Sequence, residues 1–193
     1  MEKEEYLDYF EKTLETGLVK ICKSAEVLGP DDDVDGLAFI SPDIEQMWDR
    51  YVKDYVADAV GNFNDFPQAA IGFSSFLGMA VAWYWDRDWQ AHSADEYHSF
   101  YGSRGFDNMD DHILEDILGL DAKEAKFRSE LMISCATAVQ VLMRREQIEA
   151  QTDTGFYALT RSYGVMFRIG AAIELKRLGY RKMPFKTNNN HKS

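Results

Sequence analysis

Cysteine is scarce: Cys22 and Cys135 are the only two, each inside an apolar helical pattern. That excludes a disulfide framework or a cysteine-rich zinc site and predicts buried, inert thiols. Short apolar–polar alternation of the kind that marks strands is missing, whereas five segments carry helical periodicity, so the fold is expected to be all-α. Long hydrophobic runs are missing too. The apolar stretch of residues 69–85 has 17 residues without a charge and is interrupted by Gly72, Ser74, Ser75 and Gly78; it is marginally short for a bilayer and reads as a buried helix. The opening MEKEEYLDYFEK has neither the basic nor the apolar region of a secretory signal, so a cytoplasmic protein without a membrane association is expected.

Positive charge is in short supply as well. The chain of 193 residues carries 21 Lys and Arg against 33 Asp and Glu, a net −12. Residues 176–193 hold six basic and no acidic side chains, so residues 1–175 have 15 basic against 33 acidic, a balance of −18. Such a body repels phosphate backbones, and nucleic acid is excluded as a partner. No phosphate loop, dinucleotide fingerprint, Gly-x-Ser-x-Gly elbow or His-Glu-x-x-His pair occurs.

What the sequence does hold is helix-forming pattern, 46% hydrophobic and 13% aromatic residues, enough for one substantial core. Leu7, Leu14, Ile21 and Leu28 recur every seven residues, and Gly29-Pro30 ends that helix. Ser41-Pro42-Asp43 supplies a cap, a first-turn proline and an acid for a second helix, whose apolar face runs from Ile44 to Phe63. A helix over about 67–89 is apolar all round and carries small residues at Ala70, Ser74, Gly78 and Ala82, a seam for close approach of another backbone. Residues 92–121 read as a loop with short helical pieces, including one from Met109 to Leu118. Asp121 caps a long helix to about Gln151, and a last helix ends before Gly179. The expected architecture is one bundle of five to six helices over residues 1–180, followed by a basic, polar, disordered tail over 181–193.

Three constellations are candidates for chemistry. Asp31-Asp32-Asp33-Val34-Asp35-Gly36 opens like a calcium loop, with Asp31, Asp33 and Asp35 as ligands, but Pro42 stands where the bidentate Glu belongs; a solvated acidic loop is the preferred reading. Trp83-Tyr84-Trp85-Asp86-Arg87-Asp88-Trp89 turns a buried helix into a charged, aromatic end. On an uninterrupted helix Trp85 shares a face with Trp89, and Asp88 with His92, and His98 lies nearby. Asp88, His92 and His98 are the candidate ligands of a transition metal, against a preferred reading as surface residues. Arg161 and Arg168, seven apart and cofacial, require anionic partners, for which Asp86 and Asp88 are candidates, or an anionic ligand.

No catalytic constellation is complete, and no cofactor is expected. The preferred function is a non-enzymatic binding or interaction module, its partner a protein or a second copy, with the aromatics of Tyr97–Phe106 as a candidate interface and a homodimer as one form of it. The alternative is a receptor or enzyme for a small anionic ligand, with a pocket between helices lined by Met79, Trp83, Trp85 and Trp89 and oriented by Arg161 or Arg168.

Overall fold

A computed structural model describes residues 2–59, 61 and 67–181. The chain forms an all-α bundle: α1 (Lys3–Ser24), α2 (Pro42–Ala59), α3 (Gln68–His92), α4 (Met109–Asp111), α5 (Ala122–Arg145) and α6 (Asp153–Arg177). Single 3-10 turns at Tyr97–Phe100 and Phe106–Asn108 lead into α4, which widens into a π-turn over His112–Ile117. The tail beyond Arg181, and Val60 and Phe63 of the second apolar face, lie outside the described residues.

Of the small-residue seam expected on α3, Gly78 meets α6 closely, and Ser75, outside that seam, makes the second close contact. Helices α3 and α6 run parallel through the centre, with Ser75 on Gly170 at mid-length and the Trp85 ring on Tyr180 at the end. A Cβ on Gly78 would stand 2.0 Å from the Phe167 carbonyl oxygen, and one on Gly170 1.8 Å from the Ser75 carbonyl oxygen. Only glycine permits this approach. Ser74 and Ser75 stay dry because each hydroxyl donates to a carbonyl of its own helix, those of Ile71 and Gly72. Around this pair α2 lies antiparallel to α3, tied by the Tyr55 hydroxyl donating to the Ala70 carbonyl and the Trp85 indole N–H donating to Asp43 at 3.3 Å. Helix α5 covers the far side of α3, and α1 parallels α6.

Local chemistry sets the ends. Asp121 accepts the Lys123 and Glu124 N–H groups, each at 2.9 Å, and Thr152 accepts that of Gly155 at 3.0 Å. Helix α1 stops at Ser24 rather than reaching Leu28, because Glu26 takes a left-handed conformation and Val27 N–H donates back to the Cys22 carbonyl. This turn tucks Val27 and Leu28 into the core. The acidic Asp31–Gly36 segment carries a short strand, β1 (Asp33–Val34), and the turn Asp35-Gly36, with φ of 54° and 82°, that joins it to β2 (Leu37–Ala38). That is the tight hairpin turn Asp-Gly favours, a feature the search for alternation over longer windows does not register.

The aromatics of residues 97–106 correct an expectation. Tyr97 and Phe100 are buried, packed on Tyr51 and Tyr55 with ring centroids 5.8–6.1 Å apart, so they close the core instead of offering an interface. Arg50 donates to the carbonyls of Ser93 and Asp95, and the Tyr51 hydroxyl to that of Asp95, which pins the segment on α2. Burial pushes the phenols of Tyr51, Tyr55, Tyr97 and Tyr163 upward, and burial together with the hydrogen bond to Asp58 pushes Tyr101 up to about 12.

Two outcomes follow. Gly78→Ala is expected to cost about 3 kcal/mol or more by forcing two backbones apart, whereas Gly72→Ala, on the same buried helix but with open space at its Cβ, gains about 0.5–1 kcal/mol; thermal denaturation of the pair checks this. Because unfolded tyrosines ionise near pH 10 and these folded ones later, stability is full below pH 10 and falls as pH rises toward the folded values. Absorbance at 295 nm is expected to show fewer than ten phenolates while the far-UV circular dichroism is native, the rest appearing with unfolding; all ten ionising in the folded state would refute it.

Candidate functional site

Arg161 and Arg168 share one face of α6, as their spacing predicts, but their partners are not Asp86 or Asp88. Helix α1 presents Glu4, Asp8, Glu11 and Glu15 at intervals of four, three and four residues, one acidic stripe along a helix. Arg161 binds Glu4, Asp8 and Glu11 at 2.7–2.8 Å, and Arg168 binds Glu11 at 2.7 Å and Glu15 at 2.6 Å. Glu15, only 2% exposed, also accepts the Ala38 N–H at 2.9 Å, which fastens the hairpin to the ladder. Burial works against charge on both guanidiniums, yet the α1 carboxylates more than offset it, and both pKa values rise. Beside the ladder, Asp8, Glu11, Glu15 and Glu45 with Lys12 line a cleft of about 360 Å³, an acidic setting that repels the anionic ligand assigned to these arginines by the alternative reading.

The other expected ligand-binding residues separate. Met79 is sealed in the core. Trp83 lies between the guanidinium carbons of Arg87 and Arg177, 4.1 and 5.2 Å from its ring centroid. Trp89 packs against the core rim away from Trp85, because Asp88 between them has non-helical φ and ψ of −158° and 74° and breaks the four-residue register. Asp88 instead accepts the Ala91 N–H at 3.1 Å and starts a last short turn.

Trp85 is the expected residue that lines a pocket. After α6, Tyr180 N–H donates to the Leu175 carbonyl in a closing turn around Gly179, which swings the Tyr180 ring to 5.4 Å from Trp85 and its hydroxyl to Asp86 at 2.8 Å. Phe39 and Ile40 from the loop before α2 and Pro42 at its start line the pocket opposite, together with Ala172 and Leu175 of α6. The enclosed volume is about 200 Å³. Lys176 and Arg181 stand on the rim; Lys176 binds Asp32 at 2.9 Å, and Asp32 also accepts the Gly29 N–H, which holds the loop against α6. Tyr180, Lys176 and Arg181 are absent from the expected site. The signal for them is Gly179, since the residue after such a glycine folds back onto the preceding turn.

The expected metal ligands are drawn to other work. Asp33 binds Lys23 and accepts the Gly36 N–H at 2.9 Å, Asp35 occupies the hairpin turn, and Asp31 is exposed. His92 meets Asp95 at 2.7 Å and stacks on Tyr84 with centroids 3.8 Å apart, whereas His98 lies against Tyr97 and Tyr101. Among the described residues no group of three or more His, Cys, Asp or Glu side chains is arranged to hold a metal ion. Cys22 and Cys135 are buried, and contact with the Cys22 thiol together with burial holds the Cys135 thiol well above its usual range. Among the described residues no helix is long and apolar enough to cross a membrane. No protein-family model, curated protein or solved structure matches the chain.

The ladder divides into a buried and an exposed rung. Arg168→Met is expected to cost about 3–5 kcal/mol because it strands the Glu15 carboxylate, and adding Glu15→Gln recovers most of the loss. Arg161→Met, whose partners Glu4 and Asp8 are solvated and whose third, Glu11, keeps Arg168, is expected to cost about 0.2–1 kcal/mol. Urea denaturation of the four proteins tests the division, and equal losses at the two arginines would refute it.

Proposed function

We propose that the protein is a non-enzymatic interaction module that takes an apolar side chain of a partner protein into the Trp85 pocket. The observation that carries this is size matched to lining. About 200 Å³ lies below the roughly 300–1,000 Å³ of ordinary small-molecule sites and suits one anchoring side chain. The walls are aromatic and aliphatic, so the driving force is burial of apolar surface, with Trp85 and Tyr180 offering ring faces to an aromatic guest. The one carboxylate in the lining, Asp32, is held by Lys176, and neither histidine nor cysteine reaches the pocket. Lys176 and Arg181 on the rim favour a guest flanked by acidic residues, an unusual preference for a chain of net −12.

A second reading, capture of a small aromatic carboxylate, draws on the same rim cations. Titration of a short acidic peptide carrying one Phe, and separately of free phenylacetate, into 15N-labelled protein distinguishes the two. The Trp85 indole N–H resonance is expected to shift with the peptide, and Trp85→Ala to abolish the effect. Lys176→Glu with Arg181→Glu is expected to weaken peptide binding at least about tenfold. Saturation by phenylacetate at lower concentration than by the peptide supports the second reading. No shift with either probe removes the pocket as a binding site.

A further inference from the structure

The outer face of α5 departs from the other surface helices. From Leu131 to Met143 it carries no charged residue, in a chain that is 28% charged. Within that stretch Ile133 and Val141 are 53% and 54% exposed, with Ser134 and Thr137 exposed between them. By contrast, the exposed side of α2 is lined by Glu45, Asp49, Asp54 and Asp58. The neutral surface extends across a groove of about 420 Å³ onto α1, where Gly17 leaves the floor without a side chain, and Ile133 borders a second groove of about 270 Å³ against α3. None of these residues lines the Trp85 pocket.

The charges that bound this face match their own reversal. Glu130 precedes Thr137 by seven residues and Arg144 follows it by seven; Ile133 precedes it by four and Val141 follows by four. At 100° per residue the other four fall within about 40° of Thr137 around the helix, and seven residues span about 10 Å along it. A two-fold axis perpendicular to α5 and passing between the two copies of Thr137 therefore sets Ile133 of one copy level with Val141 of the other and Glu130 level with Arg144, twice over. Glu130, 65% exposed in its side chain, has Lys126 at 3.8 Å as its ion-pair partner among the described residues, and Arg144 is exposed. We propose that two copies of this chain pair antiparallel through α5 about that axis. Because the same patch serves both copies, the contact is self-complementary and closes as a dimer. It also joins the molecules on a neutral surface, away from the acidic stripe of α1 that would drive two bodies of this charge apart.

Sedimentation equilibrium of the full chain over a concentration series tests the pairing, with circular dichroism confirming that each variant is folded. The parent is expected to be a dimer, and Ile133→Glu with Val141→Glu to be a monomer. Glu130→Arg alone and Arg144→Glu alone are each expected to weaken the dimer at least about tenfold by facing like charges across the axis, and the two together to restore it. Thr137→Cys, the only accessible thiol beside two buried ones, is expected to form a disulfide-linked dimer on mild oxidation. A monomeric parent, a dimer indifferent to the Ile133 and Val141 substitutions, or a double charge reversal that fails to restore association would each overturn the proposal.

Discussion

The structure depends on one close contact, the seating of α3 on α6 through Gly78 and Gly170. Two backbones can come this near only where the residue turned toward the other helix lacks a Cβ, and the nearness lets both helices be buried around nearly their whole circumference. Helices α1, α2 and α5 then need only one apolar face each, which leaves their outer faces free to carry charge. Every lateral feature, from the tyrosine cluster under α2 to the acidic stripe on α1, is arranged against this pair.

Polar groups work here as fasteners between distant parts of the chain. Arg168, Glu15 and Ala38 connect α6, α1 and the hairpin in sequence, and Lys176 and Asp32 repeat the link about two turns beyond. Both links hold the loop from Gly29 to Ser41, whose Phe39 and Ile40 wall the Trp85 pocket. The pocket is thus shaped by ion pairs outside it, and its own lining is left apolar. The buried ladder contributes more to fixing where α1 and the hairpin sit than to net stability, since desolvating the charges offsets much of their attraction.

What was legible in the sequence is what neighbouring residues determine. Ser41-Pro42, Asp121 and the small residues of α3 announce themselves because capping and close packing act within a turn or along one helix face. Arg161 and Arg168 announced their need for anions but not their partners, which lie about 150 positions away; the matching interval was present in Glu4, Asp8, Glu11 and Glu15, readable only by comparing two helices. The Asp31–Gly36 segment is ambiguous in sequence because Asp-rich turns serve calcium loops and hairpins alike, and the difference lies in which donors approach the carboxylates. Trp85 and Trp89 were paired by a spacing that holds only on an unbroken helix, and nothing local to Asp88 advertises its non-helical backbone. Tyr180 carries no helical periodicity to mark it, because it lies beyond the helix end, and only the turn after Gly179 directs it back onto α3.

The parallel course of α3 and α6 bears on how the molecule is made. Gly78 and Gly170 are 92 positions apart, so a ribosome adding 5–20 residues per second exposes α3 for about 5–20 s before its partner is synthesised. Through that interval the most apolar helix of the chain has α1 and α2 for company and no close-packed mate. The last long helix to emerge is the one that closes the core, which makes the nascent chain, more than the finished protein, the form that calls for a chaperone.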